Sequence, residues 1–312
     1  FLSDHYGAPV MLFALLIGMS FHFLHEEGRC VAGIEFASRT VLRAGVALLG
    51  MRITAGQIAG LGALPIAMVV VAVTSTILMG VLLARSFGQS RLFGVLSGGS
   101  VAICGASAAL AVASVLPRSP QRERDTILTV VTVTGLSTIA MVVYPVLAKS
   151  LGFDDVHAGL FLGGTIHDVA QVVGAGYMIS PETGDIATYV KMLRVAMLLP
   201  VVLTIAFITS RSNPSEDKRT ATLLPTFLVG FVLLVAVNST GVIPKDATGW
   251  LNDVSRWCLV TAISALGMKT SFKKLIEVGW RPVGLMIVET GWIATLVFTA
   301  VRSEEHTSEL QS

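Results

Sequence analysis

Residues 62–84 read GALPIAMVVVAVTSTILMGVLLA, a run without a single charged side chain. About 20 apolar residues are enough for a helix to cross the hydrocarbon core of a bilayer, so this stretch predicts a membrane span. The runs Thr126–Ala148 and Thr220–Pro244 are equally free of charge. Of the 312 residues, 53% are hydrophobic and only 13% charged, against roughly a quarter charged in an ordinary soluble domain. Most of the outer surface must therefore face lipid, and the chain reads as an all-α polytopic, multi-pass membrane protein.

Hydropathy divides the chain into ten segments, near 8–24, 31–51, 62–84, 92–117, 126–148, 157–178, 192–210, 220–240, 252–268 and 282–301. A net charge of +2 gives no reason to expect a nucleic-acid partner. Cys30, Cys104 and Cys258 are odd in number and lack C-x-x-C spacing, so neither a disulfide framework nor a zinc site is expected. No cofactor is implied.

Ser38–Ile66 aligns without a gap on Ser255–Val283, with eight of 29 positions identical at an offset of 217. The identities include Leu49-Gly50-Met51 against Leu266-Gly267-Met268, Gly62 against Gly279 and Pro65 against Pro282. Segment two thus repeats as segment nine, and their separation by seven places in the order of segments predicts copies near 8–84 and 220–301 running in opposite directions, an inverted repeat.

Lys and Arg concentrate after segment four (Arg118, Arg122, Arg124), after segment seven (Arg211, Lys218, Arg219) and after segment nine (Lys269, Lys273, Lys274, Arg281). Basic loops mark the cytoplasmic side, but complete crossing by every segment would place the first two on opposite sides. Segments four and six resolve the conflict if both are broken or re-entrant, four entering from the cytoplasm and six from outside. Each carries a Gly pair, in Leu96-Ser-Gly-Gly-Ser100 and Leu162-Gly-Gly-Thr165. Non-helical backbone at membrane depth is tolerated where protein or a water-filled cavity satisfies it, so the breaks point to a central site.

In segment four, the hydroxyls of Ser97, Ser100 and Ser107 and the backbone at Gly98, Gly99 and Gly105 could cradle an oxyanion, because a helix that starts inside the membrane offers unpaired N–H groups and a partial positive charge. Close helix packing is the competing use of such small residues. Segment six adds Gly163, Gly164 and Thr165 to that candidate substrate site. His167, Asp168 and Gln171 are polar within an apolar stretch and are candidates for coupling to a proton or cation, with a mutually satisfied structural network as the alternative. Lys191 and Arg194, one helical turn apart, are expected to begin segment seven just after an outer loop. Arg194 could clamp a dianion there, whereas snorkelling to the interface is the other fate of such residues. Arg43 and Glu289 also lie within apolar runs, and a pair between them is open. H-D-x-x-Q offers too few ligands for structural zinc, and neither G-x-S-x-G nor H-E-x-x-H occurs, so metal or covalent catalysis has no support and an enzyme is not expected.

The runs Ser100-Val-Ala-Ile-Cys-Gly-Ala-Ser107, Gly164-Thr-Ile-His-Asp-Val-Ala-Gln-Val-Val173, Ile179-Ser-Pro181, Lys191-Met-Leu-Arg194 and Ala265-Leu-Gly-Met268 resemble the YeiH-like family of bacterial inner-membrane proteins, labelled sulfate exporters. The resemblance extends over residues 8–301, in which His167 is followed by Asp168 where some relatives carry Glu. It implies kinship with sodium/proton antiporters and bile-acid symporters, whose inverted repeats bring broken helices to a crossing at the centre. The implied function is secondary transport of a small anion, with sulfate one candidate among sulfonates and others. Sodium/proton exchange, or a membrane sensor or scaffold, are the alternatives, and a homo-oligomer is left open.

The first residue is Phe1 rather than Met, and 302–312 reads RSEEHTSELQS, the translation of a common sequencing adapter. The expectation is one transporter domain over 1–301, truncated at both ends, with Glu304, Glu305, His306 and Glu309 foreign to it.

Overall fold

The computed structural model describes residues 10–26, 28–117, 120–212, 226–269 and 279–309. Arg118, Lys218, Arg219, Lys273 and Lys274 of the basic loops lie outside the described residues. Among those described, the regular structure is helical: α1 (Val10–Ser20), α2 (Val31–Phe36, a π-helical turn Ala37–Val41, then Leu42–Leu49), α3 (Leu64–Leu83), α4 (Arg91–Ala102), α5 (Ala106–Val115), α6 (Pro120–Ser150), α7 (Asp155–Thr165), α8 (Val169–Ile179), α9 (Pro181–Ala196), α10 (Leu198–Ser212), α11 (Thr226–Ser239), α12 (Lys245–Lys269) and α13 (Trp280–Glu309).

Four helical stretches are long and apolar enough to cross a membrane: Leu64–Phe87, Gln121–Ser150, Pro181–Thr209 and Trp280–Glu304. Their outward faces carry Leu78, Leu82, Val146, Phe207 and Ile208, all exposed, as expected where lipid replaces water. Trp250, Trp257 and Trp280 are exposed as well, and Trp is the side chain enriched where a membrane meets water. The third span starts at Pro181, eleven residues before the expected boundary at 192. Lys191 and Arg194 therefore do not follow an outer loop: they sit in the middle of the span Pro181–Thr209 and are completely buried. Charge within an apolar run reads as a helix end when it is in fact compensated inside the protein.

The two glycine-interrupted segments are each a pair of half-helices, α4–α5 and α7–α8. Ser180 Oγ, just after α8, donates to Asp155 Oδ1 at the start of α7 across 2.7 Å. Thr183 Oγ1 reaches the same carboxylate at 2.8 Å. Both ends of α7–α8 thus lie at one end of the bundle, which we call the far end. Gly88 and Gln89, before α4, line one pocket with Gln121, Arg124 and Arg281, and Leu116, after α5, accepts from Arg122 Nη1 at 2.9 Å. Both ends of α4–α5 therefore lie at the opposite, near end. The two pairs are hairpins that enter from opposite ends and meet at their tips, rather than continuous broken helices that traverse the bundle.

The surrounding helices pack at backbone contact. A Cβ at Gly94 would lie 2.3 Å from Gly80 O, and one at Gly18 2.1 Å from Ser264 O, so only Gly lets α3 meet α4 and α1 meet α12 this closely. α2 runs against α12, with Gly45 O accepting from Ser255 Oγ at 2.7 Å and Glu35 pairing with Lys269 at 2.7 Å. α13 continues through Arg302, whose Nη2 donates to Leu151 O at 2.9 Å, and reaches Glu309 as a helix.

Candidate functional site

Four half-helix ends converge at the hairpin tips: the C-termini of α4 and α7 and the N-termini of α5 and α8. C-terminal ends present unpaired carbonyls and a partial negative charge, and N-terminal ends the reverse. Lys191 and Arg194 serve the C-termini. Lys191 Nζ donates to Ile103 O (2.8 Å), Ile166 O (3.0 Å) and His167 O (2.5 Å). The Arg194 guanidinium donates to Ala102 O (2.8 Å), Val101 O (2.9 Å), Ile166 O (2.9 Å) and Gly163 O (3.2 Å). Each cation therefore bridges both hairpins, which is why neither needs a carboxylate partner.

The N-terminal ends are treated differently. Asp168 caps α8, its Oδ1 accepting from Ala170 N at 2.9 Å, while its own N–H donates to Ser137 Oγ at 3.0 Å. α5 has Gly105 at its N-cap, with φ of +63° and no side-chain cap. The positive φ suits Gly, and without a side chain the N-cap residue itself caps none of the first N–H groups of α5, of which the Ala108 N–H turns to the Cys104 sulfur. Ala106 and Ser107 open directly onto a cavity of about 620 Å³. Cys104 and Asp168 line it at the tips, and Arg39, Arg43 and Lys269 line it too, of which Arg39 and Lys269 pair with Glu35 at 3.0 and 2.7 Å, while Ser114 stands towards the near end.

His167 joins the tips. It is fully buried, Nδ1 3.0 Å from Val101 O and Nε2 3.0 Å from Thr290 Oγ1 on α13. A carbonyl can only accept, so Nδ1 carries a proton, and a neutral ring then accepts at Nε2 from the Thr290 hydroxyl. That hydroxyl also lies 2.7 Å from Met286 O, so it has two acceptors to choose between. Gln171 Nε2 donates to Thr138 Oγ1 at 2.8 Å, and its Oε1 has no partner.

Of the residues expected at a substrate site, Ser107 lines the cavity. Ser97 Oγ donates instead to Glu289 Oε1 at 2.7 Å, Ser100 Oγ to Gly105 O at 2.9 Å and Thr165 Oγ1 to Phe161 O at 2.6 Å. A Cβ at Gly163 would meet Ala187 O at 2.5 Å, one at Gly164 Val297 Cγ1 at 2.7 Å, one at Gly98 Ile77 Cα at 3.0 Å and one at Gly99 Val112 Cγ2 at 3.2 Å. These glycines admit neighbouring helices. Arg43 lines the cavity and Glu289 bonds to Ser97, so the two open partners are engaged elsewhere.

At the far end, Arg52 Nε pairs with Asp185 Oδ1 at 3.2 Å, its guanidinium lies 5.1 Å from the Tyr177 ring centre, and the Tyr177 hydroxyl donates to Asp185. This trio, from the chain after α2 and from α8 and α9, gave no signal in the sequence, since each residue sits near an expected segment end and reads there as interfacial.

Known proteins match the chain along nearly its whole length. It is 61% identical over 303 residues to UPF0324 membrane protein CT0845 of Chlorobaculum tepidum, covering 96% of this chain and 85% of that one. It is 54% identical over 300 residues to UPF0324 membrane protein TauZ of Paracoccus pantotrophus, covering 95% and 89%. To UPF0324 membrane protein RB0971 of Rhizobium meliloti it is 51% identical over 304 residues, covering 96% and 88%. No solved structure matches. The family described as conserved hypothetical protein 698 matches residues 2–286, and the chain belongs to that family of multi-pass membrane proteins.

Proposed function

We propose that the protein is a secondary transporter that exports a small anion, such as sulfate or a sulfonate, by alternating access, with movement coupled to protons or sodium. The observation that carries this reading is the unequal treatment of the four central helix ends. Lys191 and Arg194 answer the two C-termini and Asp168 caps one N-terminus, while the N-terminus of α5 opens uncapped on a cavity lined by Arg39, Arg43 and Lys269. A helix N-terminus without an N-cap side chain, beside positive side chains, favours an oxyanion, and Ser107 adds a hydroxyl.

The antiparallel contact of α2 with α12, the two members of the internal repeat, supports an inverted arrangement. In that arrangement α4–α5 re-enters from the face carrying Arg122, Arg124, Lys269 and Arg281, which the positive-inside rule makes cytoplasmic. The cavity is then open inward, and Arg52, Asp185 and Tyr177 close the outer end. Asp168, an acid on the cavity wall, is the candidate for the coupling ion, with His167 and Gln171 behind it.

Flux of labelled sulfate and small sulfonates in proteoliposomes tests the reading. We expect saturable flux for at least one, abolished by Ala at His167 or Ser100. Absence of anion-dependent flux over a broad panel removes the anion. The cavity-lining Asp168 favours one second reading, sodium/proton exchange without an anion, which a pH-gradient assay in anion-free vesicles separates from the first.

A further inference from the structure

Glu289 lies a third of the way along α13 with none of its surface exposed. One carboxylate oxygen, Oε1, accepts from Ser97 Oγ at 2.7 Å. The other, Oε2, is buried with no hydrogen-bond partner. Among the described residues no cation pairs with it. The elements packed against α13 are α3, the turn Ala84–Phe87, α4, α6 and α7. α3 has no ionisable side chain; the turn has Arg85; α4 has Arg91 at its outer end; α6 has Arg122, Glu123, Arg124, Asp125 and Lys149 at its two ends; α7 has Asp155 and His157 at its far-end start. Through the adjacent Thr290, α13 also meets His167 at the hairpin tips.

An ionised carboxylate with a bare oxygen in such surroundings costs several kcal/mol, whereas a carboxylic acid needs no counter-ion. A structural acid would be expected to fill both oxygens with donors. Oε1 lies 2.5 Å from where a Cβ on Gly80 would stand, so the carboxyl has room only because α3 carries Gly there. Thr76, one helical turn from Gly80, adds a buried hydroxyl without a partner.

We propose that Glu289 is a proton-binding site, and that its loading and unloading adds a proton-coupling step to the transport cycle, separate from the candidate ion site at Asp168. The clause on coupling rests on the transport reading above; proton binding does not. In the conformation described here the proton sits on Oε2 and the group is the neutral acid. When the far end opens and water reaches α13, the O–H bond breaks, the proton leaves to water and the carboxylate remains on Glu289 until the next proton arrives. Thr290 ties this change to the tips, because its hydroxyl is shared between Met286 O and His167 Nε2. Unlike Asp168, Glu289 has no access to the anion cavity, so proton and anion occupy separate places.

Infrared difference spectra of the purified full-length protein, recorded between acid and alkaline buffer, test the site without any substrate. We expect a protonated-carboxyl band that is absent in Glu289→Gln and shifted in Ser97→Ala, which removes the donor to Oε1. Superimposable spectra for the parent and Glu289→Gln overturn the proposal. In proteoliposomes, Glu289→Gln is expected to lose at least tenfold of the anion accumulation driven by a pH gradient and to keep gradient-free exchange; unchanged driven accumulation overturns the coupling role. A parent protein that moves no anion at all would sink the transport reading and, with it, the coupling clause, leaving the infrared result to stand or fall separately.

Discussion

Ser180 Oγ donates to Asp155 Oδ1 across 2.7 Å, fastening the residue after α8 to the first residue of α7. A straight helix over the same stretch would hold them roughly 37 Å apart. The second glycine-interrupted segment is therefore folded back on itself, with its turn at Ile166–Asp168, where backbone carbonyls receive Lys191 and Arg194.

This fold-back is checked by cross-linking. Cysteines placed at Asp155 and Ser180, with the three native ones replaced, are expected to join through a short bis-maleimide. A segment that passed through the bundle would leave them unlinked.

Lys191 and Arg194 are expected to be needed for folding before they are needed for anything else. Replacing Lys191 with Met strands the carbonyls of Ile103, Ile166 and His167 in a dry interior. Loss of a buried charged donor costs about 3 kcal/mol or more. Lys191→Met should lower the melting temperature in detergent sharply, and Arg194→Met likewise, whereas a pair acting only on substrate would leave melting unchanged.

Gly163 separates packing from ligand contact. In Gly163→Ala the new methyl would lie 2.5 Å from Ala187 O and 2.8 Å from Val190 Cβ, forcing α7 away from α9 at about 1–3 kcal/mol. Thermal melting should fall. A variant with unaltered melting and altered flux would instead assign Gly163 to the substrate.

Ser107→Asp places a carboxylate in the first turn of α5, where it favours the helix and occupies its open N-terminus. Melting is expected to hold or rise while anion flux disappears. Retained flux would mean that the anion does not visit this end.

The hairpins were legible in the sequence because two features agreed: Gly pairs marked the breaks, and the basic loops after segments four and seven could share one side only if one of the three segments between them failed to cross. The superfamily resemblance pointed instead to crossing helices, and contacts at the segment ends decide for hairpins. Lys191 and Arg194 were misplaced for a physical reason. A charge among apolar residues signals an interface unless partners compensate it, and theirs are carbonyls of Val101–Ile103 and Gly163–His167, remote in the chain and invisible to spacing. Ser97, Ser100 and Thr165 stood out as hydroxyls near a break, but spacing could not tell that Glu289 Oε1, Gly105 O and Phe161 O would take them.

The native thiol of Cys104, on the cavity wall beside the start of α5, offers the most direct test of an anion site between the tips. With Cys30 and Cys258 replaced, the rate at which a small anionic thiosulfonate modifies Cys104 is measured with and without sulfate or a sulfonate. The account predicts modification from the cytoplasmic face, slowed several-fold by at least one of these anions. Modification at the same rate whatever anion is present, or equally from both faces, would contradict it.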